Sequence, residues 1–200
     1  GEANIAIGSW DSSTYQAPLT TNQTGSFNIA IGSGVLRLAN ENDNDGSVGI
    51  GYGALNNQAG TGGAQFANAT VAVGYKALEA LTTGSKNIAI GLEAMNDMQT
   101  GTNNIALGYQ AMDVLQGGDG SGGVAASANA GNHNIAIGTD SMGAVEGYRS
   151  TTEIDGNIAI GTNALLGGDL LNNNIDFVGN IAIGYNAVDA TGNAQGMTGT

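Results

Sequence analysis

Residues 87–95 read Asn-Ile-Ala-Ile-Gly-Leu-Glu-Ala-Met, and this short pattern decides the fold. Its core is an apolar-small-apolar triplet closed by glycine. The triplet recurs nine times, and its closing glycines are Gly8, Gly32, Gly51, Gly74, Gly91, Gly108, Gly138, Gly161 and Gly184. Asn precedes the triplet in seven copies, and Ser47 and Thr70 replace it in the other two. The full unit therefore reads Asn-Ile-Ala-Ile-Gly-x-x-Ala-Leu. The first copy departs from it, with Asp11-Ser12 where Ala-Leu is expected.

Each part of the unit has a physical reason. The triplet alternates with a period of two, so its outer residues share one face of a short strand. Glycine after the strand permits a turn that other residues resist. So short a strand cannot bury its apolar face alone, but stacked copies can. We therefore predict an all-β fold, a parallel β-solenoid of about nine coils, with the isoleucines in a dry column and the asparagines in a side-chain amide ladder. Strands about 4.8 Å apart make a rod on the order of 40 Å long.

The small residue between the two apolar ones is the most informative position. It is Ala in eight copies and Gly in one, whereas a solvent-facing position would vary among polar residues. We expect it to point away from the isoleucine column and to form the interface of a homotrimer. The alternative is that it lies inside a very narrow coil. The residues in question are Ala6, Ala30, Gly49, Ala72, Ala89, Ala106, Ala136, Ala159 and Ala182.

Composition narrows the functional class. Glycine is abundant, at 35 residues, yet 41% of the chain is hydrophobic, which indicates a folded protein rather than a linker. The net charge of -13 disfavours nucleic acid and anionic membranes as partners. No apolar run is long enough to cross a membrane. Because the pattern runs to both ends, we expect residues 1–200 to be a single repetitive segment of a longer fibre.

The repeats resemble the head repeats of trimeric autotransporter adhesins, the YadA-like heads. Gly46-Ser47-Val48-Gly49-Ile50-Gly51 and the Asn-Ile-Ala-Ile-Gly copies carry this resemblance. Gly74-Tyr75-Lys76-Ala77-Leu78 and residues 82–87 are similar to repeats in bacteriophage tail fibres. The resemblance implies a left-handed parallel β-roll, wound or packed as a homotrimer. The closing glycines here are 17 to 30 residues apart (91 − 74 and 138 − 108), more than in the adhesin heads, so we expect elaborated loops.

Insertions fall at one point of the repeat, before the next Asn. The longer ones span residues 37–46, 56–69, 113–133, 143–156 and 166–179. Variable loops on a rigid scaffold are a common binding design. They could contact a cell-surface glycan or protein receptor, with Phe66, Tyr148 and Phe177 as candidate contacts, or they could be spacers that shield the coil.

One insertion contains a candidate calcium site. Oxygen ligands alternate at Glu41, Asp43 and Asp45 before Gly46, as in the first half of a calcium loop. The distal Glu of such a loop is missing, since Tyr52 stands there. An ordinary acidic turn is the competing interpretation, and the sequence calls for no other cofactor.

A second set of candidates follows the closing glycine. Tyr52, Tyr75, Tyr109 and Tyr185 occupy this position in four copies. An aromatic row could stack on sugar rings, or it could pack along the rod and at a subunit boundary.

The sequence contains no recognisable catalytic constellation. It has one histidine, His133, no cysteine and no basic cluster. We therefore expect a non-enzymatic fibre segment at the virion surface or the cell surface. The shaft or receptor-binding part of a viral tail fibre is the first interpretation. The head of a bacterial trimeric adhesin and a purely structural extracellular filament are the alternatives.

Overall fold

The structure is all-β in the part of the chain it describes. The computed structural model describes residues 2–9, 17–20, 22, 25–37, 45–56, 68–82, 84–117, 131–147, 154–166 and 177–188. Within these ranges the chain forms strands and turns and no helix. Nine three-residue strands form one open parallel sheet, in which each strand pairs with the next copy of the repeat.

The main sheet contains one strand per repeat. Its strands are β1 (Ile5–Ile7), β2 (Ile29–Ile31), β3 (Val48–Ile50), β4 (Val71–Val73), β5 (Ile88–Ile90), β6 (Ile105–Leu107), β8 (Ile135–Ile137), β11 (Ile158–Ile160) and β13 (Ile181–Ile183). We number the corresponding coils 1 to 9. The register is uniform, so each triplet residue lies beside its equivalent in the neighbouring coil, as Ala89 does beside Ala106. The predicted parallel strands at Ile-Ala-Ile are therefore confirmed.

The turns stack as regularly as the strands. Leu55 N donates to the carbonyl of Ala77, and Leu78 N donates to that of Ala94, one coil further along in each case. The arrangement is therefore solenoid-like. In coil 1, Leu19 N donates to the carbonyl of Val35 in the same way. Pro18-Leu19 thus takes the place of the Ala-Leu pair in coil 1. The repeat spacing predicted this pair at Asp11-Ser12, which lie outside the described residues.

The orientation predicted for the triplet is wrong. The central residue faces the interior, and the isoleucines face outward. Seven of the central alanines are 0–2% exposed, and Gly49 is also buried; only Ala6 of this set, in coil 1, is exposed. In coils 2 to 8 the interior already holds the large residue of the Ala-Leu pair, namely Leu36, Leu55, Leu78, Met95, Met112, Met142 and Leu165. Because this row fills the coil, only a methyl group fits opposite it on the strand.

Gly49 shows how tightly the interior is packed. It is the one glycine at the triplet centre, and it faces the one valine, Val35, at a position where most other coils have Ala. A methyl group on Gly49 would overlap Cγ1 of Val35. The two exceptions to the repeat therefore compensate each other in volume.

The closing glycines are required by the close stacking of the turns. Gly138 has a φ of 131°, and a methyl group there would lie 2.6 Å from the carbonyl oxygen of Gly161 in the next coil. Neither the backbone angle nor the space admits a side chain.

The insertions contribute two small sheets. β7 (Val114–Gly117) pairs in parallel with β9 (Ala144–Gly147), and β10 (Ile154–Asp155) pairs in parallel with β12 (Phe177–Val178). These strands lie at the ends of the insertions predicted at 113–133, 143–156 and 166–179. The chain therefore keeps stacking for a few residues beyond the repeat unit.

The compensation between Gly49 and Val35 predicts a strongly coupled pair. Gly49→Ala should lower the free energy of unfolding by about 1–3 kcal/mol, because the added methyl overpacks the coil. Combining Gly49→Ala with Val35→Ala recreates the arrangement of the other coils and should recover most of that loss. Urea unfolding of the two single variants and the double variant measures the coupling. Additive effects of the two substitutions would contradict this account of the interior.

Candidate functional site: the outer aliphatic face

The main sheet presents a continuous aliphatic surface to the outside of the coil. We define the outer face as the first and third residues of the nine main-sheet strands. All 18 are Ile, Val or Leu, and none is polar or charged. Most are half-buried by their neighbours in the sheet, whereas Ile90 is 43% exposed and Ile183 is 67% exposed.

This composition is unusual for a solvated sheet. A sheet that faces water on one side normally alternates apolar with polar residues, and parallel sheets are normally covered on both faces. Here one face is covered by the interior of the same coil, while the other retains β-branched residues in every coil. Exposed apolar surface of this extent marks an interaction site in soluble proteins.

A row of larger residues borders the outer face. It follows the closing glycines and includes Tyr75, Leu92 and Tyr109 in consecutive coils, each 44–46% exposed. Tyr52 and Tyr75 stack with ring centroids 5.4 Å apart and an angle of 10° between the rings. The sequence left two interpretations of this row, stacking on sugar rings or packing along the rod. Tyr52 and Tyr75 pack along the rod, and the exposed tyrosines extend the apolar surface.

An inner ladder of asparagines holds the coils in register behind the outer face. We define the inner ladder as Asn4, Asn28, Ser47, Thr70, Asn87, Asn104, Asn134, Asn157 and Asn180. Its members from Asn28 to Asn157 are fully buried. The Oδ1 atom of Asn134 accepts a hydrogen bond from the backbone N of Asn157 at 2.9 Å. Its Nδ2 donates to the carbonyl of Ile154 at 2.7 Å. The predicted amide ladder is thus confirmed, and its role is to satisfy buried backbone groups at the corner where strand pairing begins.

The ladder is weaker in coils 3 and 4. Ser47 Oγ lies 3.4 Å from the backbone N of Thr70, compared with 2.9–3.0 Å for the bonds that the asparagines accept. Neither Ser nor Thr has an amide that could donate to the carbonyl of the next coil.

A second polar ladder, which we call the outer polar ladder and which is absent from our predictions, runs two residues before the inner one. Its hydrogen bonds point in the opposite direction along the rod, since a backbone N–H donates to a side chain of the following coil. Ser26 N donates to Asp45 at 2.6 Å, and Asp45 N donates to Asn68 at 3.0 Å. Thr102 N donates to Asn132, whose own N–H donates to Asp155. The signal in the sequence is a Ser, Thr, Asn or Asp two residues before most members of the inner ladder.

The calcium candidates are only partly within the described residues. Asp45 is exposed, and its carboxylate accepts the hydrogen bond of the outer polar ladder. Glu41 and Asp43 lie outside the described residues. In the part of the chain that the structure covers, no three His, Cys, Asp or Glu side chains group as metal ligands.

For the receptor-contact candidates, the structure describes no side chain. Phe66 and Tyr148 lie outside the described residues, and for Phe177 the structure describes only the backbone, which is in β12. His133 lies at the corner of coil 7, where its Nε2 is 3.2 Å from Nδ2 of Asn103.

Comparisons with known proteins give neither a family nor a function for the chain. No protein-family model, curated protein or solved structure matches the chain. Within the described ranges, no helix has the length and hydropathy needed to span a bilayer. The functional argument therefore rests on the geometry of the coil.

The two ladders provide a matched pair of substitutions in coil 7. Asn134→Ala removes buried hydrogen bonds from the inner ladder and should cost about 3 kcal/mol of unfolding free energy. Asn132→Ala, two residues earlier at a half-buried position of the outer polar ladder, should cost about 1 kcal/mol. Chemical denaturation followed by circular dichroism measures both, and equal losses would contradict the different burial of the two ladders.

Proposed function

We propose that this chain is a structural segment of an extracellular or virion fibre whose copies associate through the outer aliphatic face. The observation that carries the proposal is that this face has no polar residue in any of its nine coils, although it lies on the outside of a single chain. Fully burying one Ile or Val side chain contributes roughly 1.5–3 kcal/mol. A row of such residues is therefore a strong driving force for association.

A second copy of the same chain is the partner that best matches this surface. The outer face repeats with the spacing of the coils, so a parallel copy presents the same residue types at every height along the rod. Acidic residues, which dominate the charged side chains of the chain, are absent from the face, so copies can approach without bringing like charges together there.

We propose three-fold symmetry for this association. Three parallel copies around an axis place all their outer faces inside and leave the insertions outside, and the closed ring prevents further growth sideways. This arrangement is the homotrimeric left-handed β-roll that the resemblance to the adhesin heads implies. The interface, however, is assigned here to the outer Ile, Val and Leu residues rather than to the alanines.

Among fibre proteins, we favour the shaft or receptor-binding part of a viral tail fibre, without enzymatic activity. The resemblance of residues 74–87 to tail-fibre repeats supports it. A rod held by backbone and side-chain ladders suits a load-bearing shaft. The five longer insertions, which leave the coil at one point of the repeat, are the parts that would contact a glycan or protein receptor. The head of a bacterial adhesin and a structural filament are the alternatives.

The proposal predicts the mass of the particle in solution. Light scattering should give three times the chain mass of 19.8 kDa. Ile88→Thr combined with Ile90→Thr should shift the protein towards monomer while preserving the β spectrum, because Thr retains the β-branched shape that suits a strand. Val178→Thr is the matched control, since Val178 is 49% exposed in β12 and lies off the outer face.

Two results would overturn the proposal. A wild-type monomer would show that the outer face is not an interface between copies. A dimer would retain the interface but exclude three-fold symmetry.

A further inference from the structure

Four acidic residues lie near one another at one corner of coils 5, 6 and 7. Glu93 and Asp97 belong to coil 5, Asp113 to coil 6 and Asp140 to coil 7. The backbone brings them together, because Asp97 N donates to the carbonyl of Asp113 at 3.1 Å. In the same corner, Gln110 N donates to the carbonyl of Leu92 at 3.0 Å, and Asp140 N donates to that of Tyr109 at 3.0 Å.

Asp113 is the member of this group with the least favourable surroundings. Its side chain is half-buried, and its Oδ1 atom is fully buried without a hydrogen-bond partner among the described residues. Burial, followed by repulsion from Asp97 and Glu93 and a smaller contribution from Asp140, raises the pKa of Asp113 to about 6. A backbone hydrogen bond from Asn96 opposes this rise.

Neighbouring groups do little to offset the negative charge. Gln110 Nε2 donates to Glu93 at 2.9 Å, which satisfies Glu93 but brings no positive charge. The cation in this row of the coil is Lys76, which lies two coils before Asp113 and forms an ion pair with Glu79 at 3.0 Å.

The position of Asp113 connects this corner to a second element. Asp113 is the residue immediately before β7, which pairs with β9 beside the main coil. Loosening of the backbone at Asp113 would therefore release the base of the insertion at 113–133 as well as the contact between coils 5, 6 and 7.

We propose that this acidic corner is a proton-sensitive contact, which stabilises coils 5 to 7 and the β7–β9 pair in mildly acidic surroundings and loosens at neutral pH. The protonated carboxyl of Asp113 no longer repels Asp97, Glu93 and Asp140, and burying it costs less than burying a carboxylate. Since the pKa is raised in the folded state, the stabilising contribution is complete below the unfolded value of 3.8 and is lost as pH rises through about 6.

Hydrogen exchange of the full chain tests the proposal, with rates corrected for the intrinsic effect of pH. Peptides covering 96–117 and 138–147 should become about tenfold better protected between pH 7.5 and pH 5. Asp113→Asn removes the charge and should give the higher protection already at pH 7.5, with a melting temperature about 3 °C or more above wild type. Asp45→Asn, at an exposed position of the outer polar ladder, is the matched control and should leave the pH dependence of these peptides unchanged.

Equal pH dependence in wild type and Asp113→Asn would overturn the proposal. If Asp113→Asn fails to fold, the wild-type protein still decides the question through the carboxyl carbon signal of Asp113 in a nuclear magnetic resonance titration. A midpoint near 6 supports the proposal, and a midpoint near 4 overturns it.

Discussion

The narrow interior of the coil is the constraint on which the rest of the structure depends. Coils 2 to 8 each bury the Leu or Met of the Ala-Leu pair, and coils 4 and 5 bury a second large side chain three residues later, Leu81 and Met98. Opposite these residues, the strand has space only for small groups. The central residue of every strand is therefore Ala or Gly, and the isoleucines must face outward. The close stacking of the turns adds a second constraint, because the backbone of Gly161 leaves no space for a side chain on Gly138.

The coils are held together mainly by contacts between residues at the same position of the repeat in neighbouring coils. Each residue of the main-sheet strands lies beside its counterpart in the next coil, so a favourable contact in one coil is repeated in the next, and an unfavourable one is repeated as well. Asparagine benefits from this arrangement, because its amide both accepts from and donates to the next coil. The carboxylates of Asp45 and Asp155 also accept a hydrogen bond between coils. Around Asp113, however, burial and the neighbouring carboxylates raise its pKa, so the acidic composition opposes stacking there.

Much of this fold could be predicted from the sequence. The repeat gave the strand positions, their parallel pairing and the asparagine ladder, because each depends on local residue type and on copies recurring at the same place. Which face is inside could not be predicted in the same way. Alternation shows that Ile88 and Ile90 share a face, but when Ala89 is also apolar, the pattern does not show which side is buried. That depends on the width of the coil, which is set by side chains such as Met95 on the opposite side.

Two other features could not be predicted from the sequence, for related reasons. Pro18-Leu19 completes coil 1 only after an insertion, so its distance from Gly8 differs from that in other coils. The outer polar ladder mixes Ser, Thr, Asn and Asp, which share hydrogen-bonding capacity but not identity. The repetition of a single residue type therefore does not reveal this ladder.

The candidate interface follows from the corrected orientation, since the surface available to a partner is that of the isoleucines.

The uniform parallel register is the central claim, and engineered disulfides test it most directly. The chain contains no cysteine, so the introduced residues are its only thiols. Ile90 and Leu107 are register partners in β5 and β6, whose Cα atoms should be about 4.8 Å apart, within reach of a disulfide. The combination Ile90→Cys with Leu107→Cys should oxidise within one chain, whereas Ile90→Cys with Ile105→Cys, two residues out of register, should not. Efficient oxidation of the second pair, or of neither, would contradict the stacked coil.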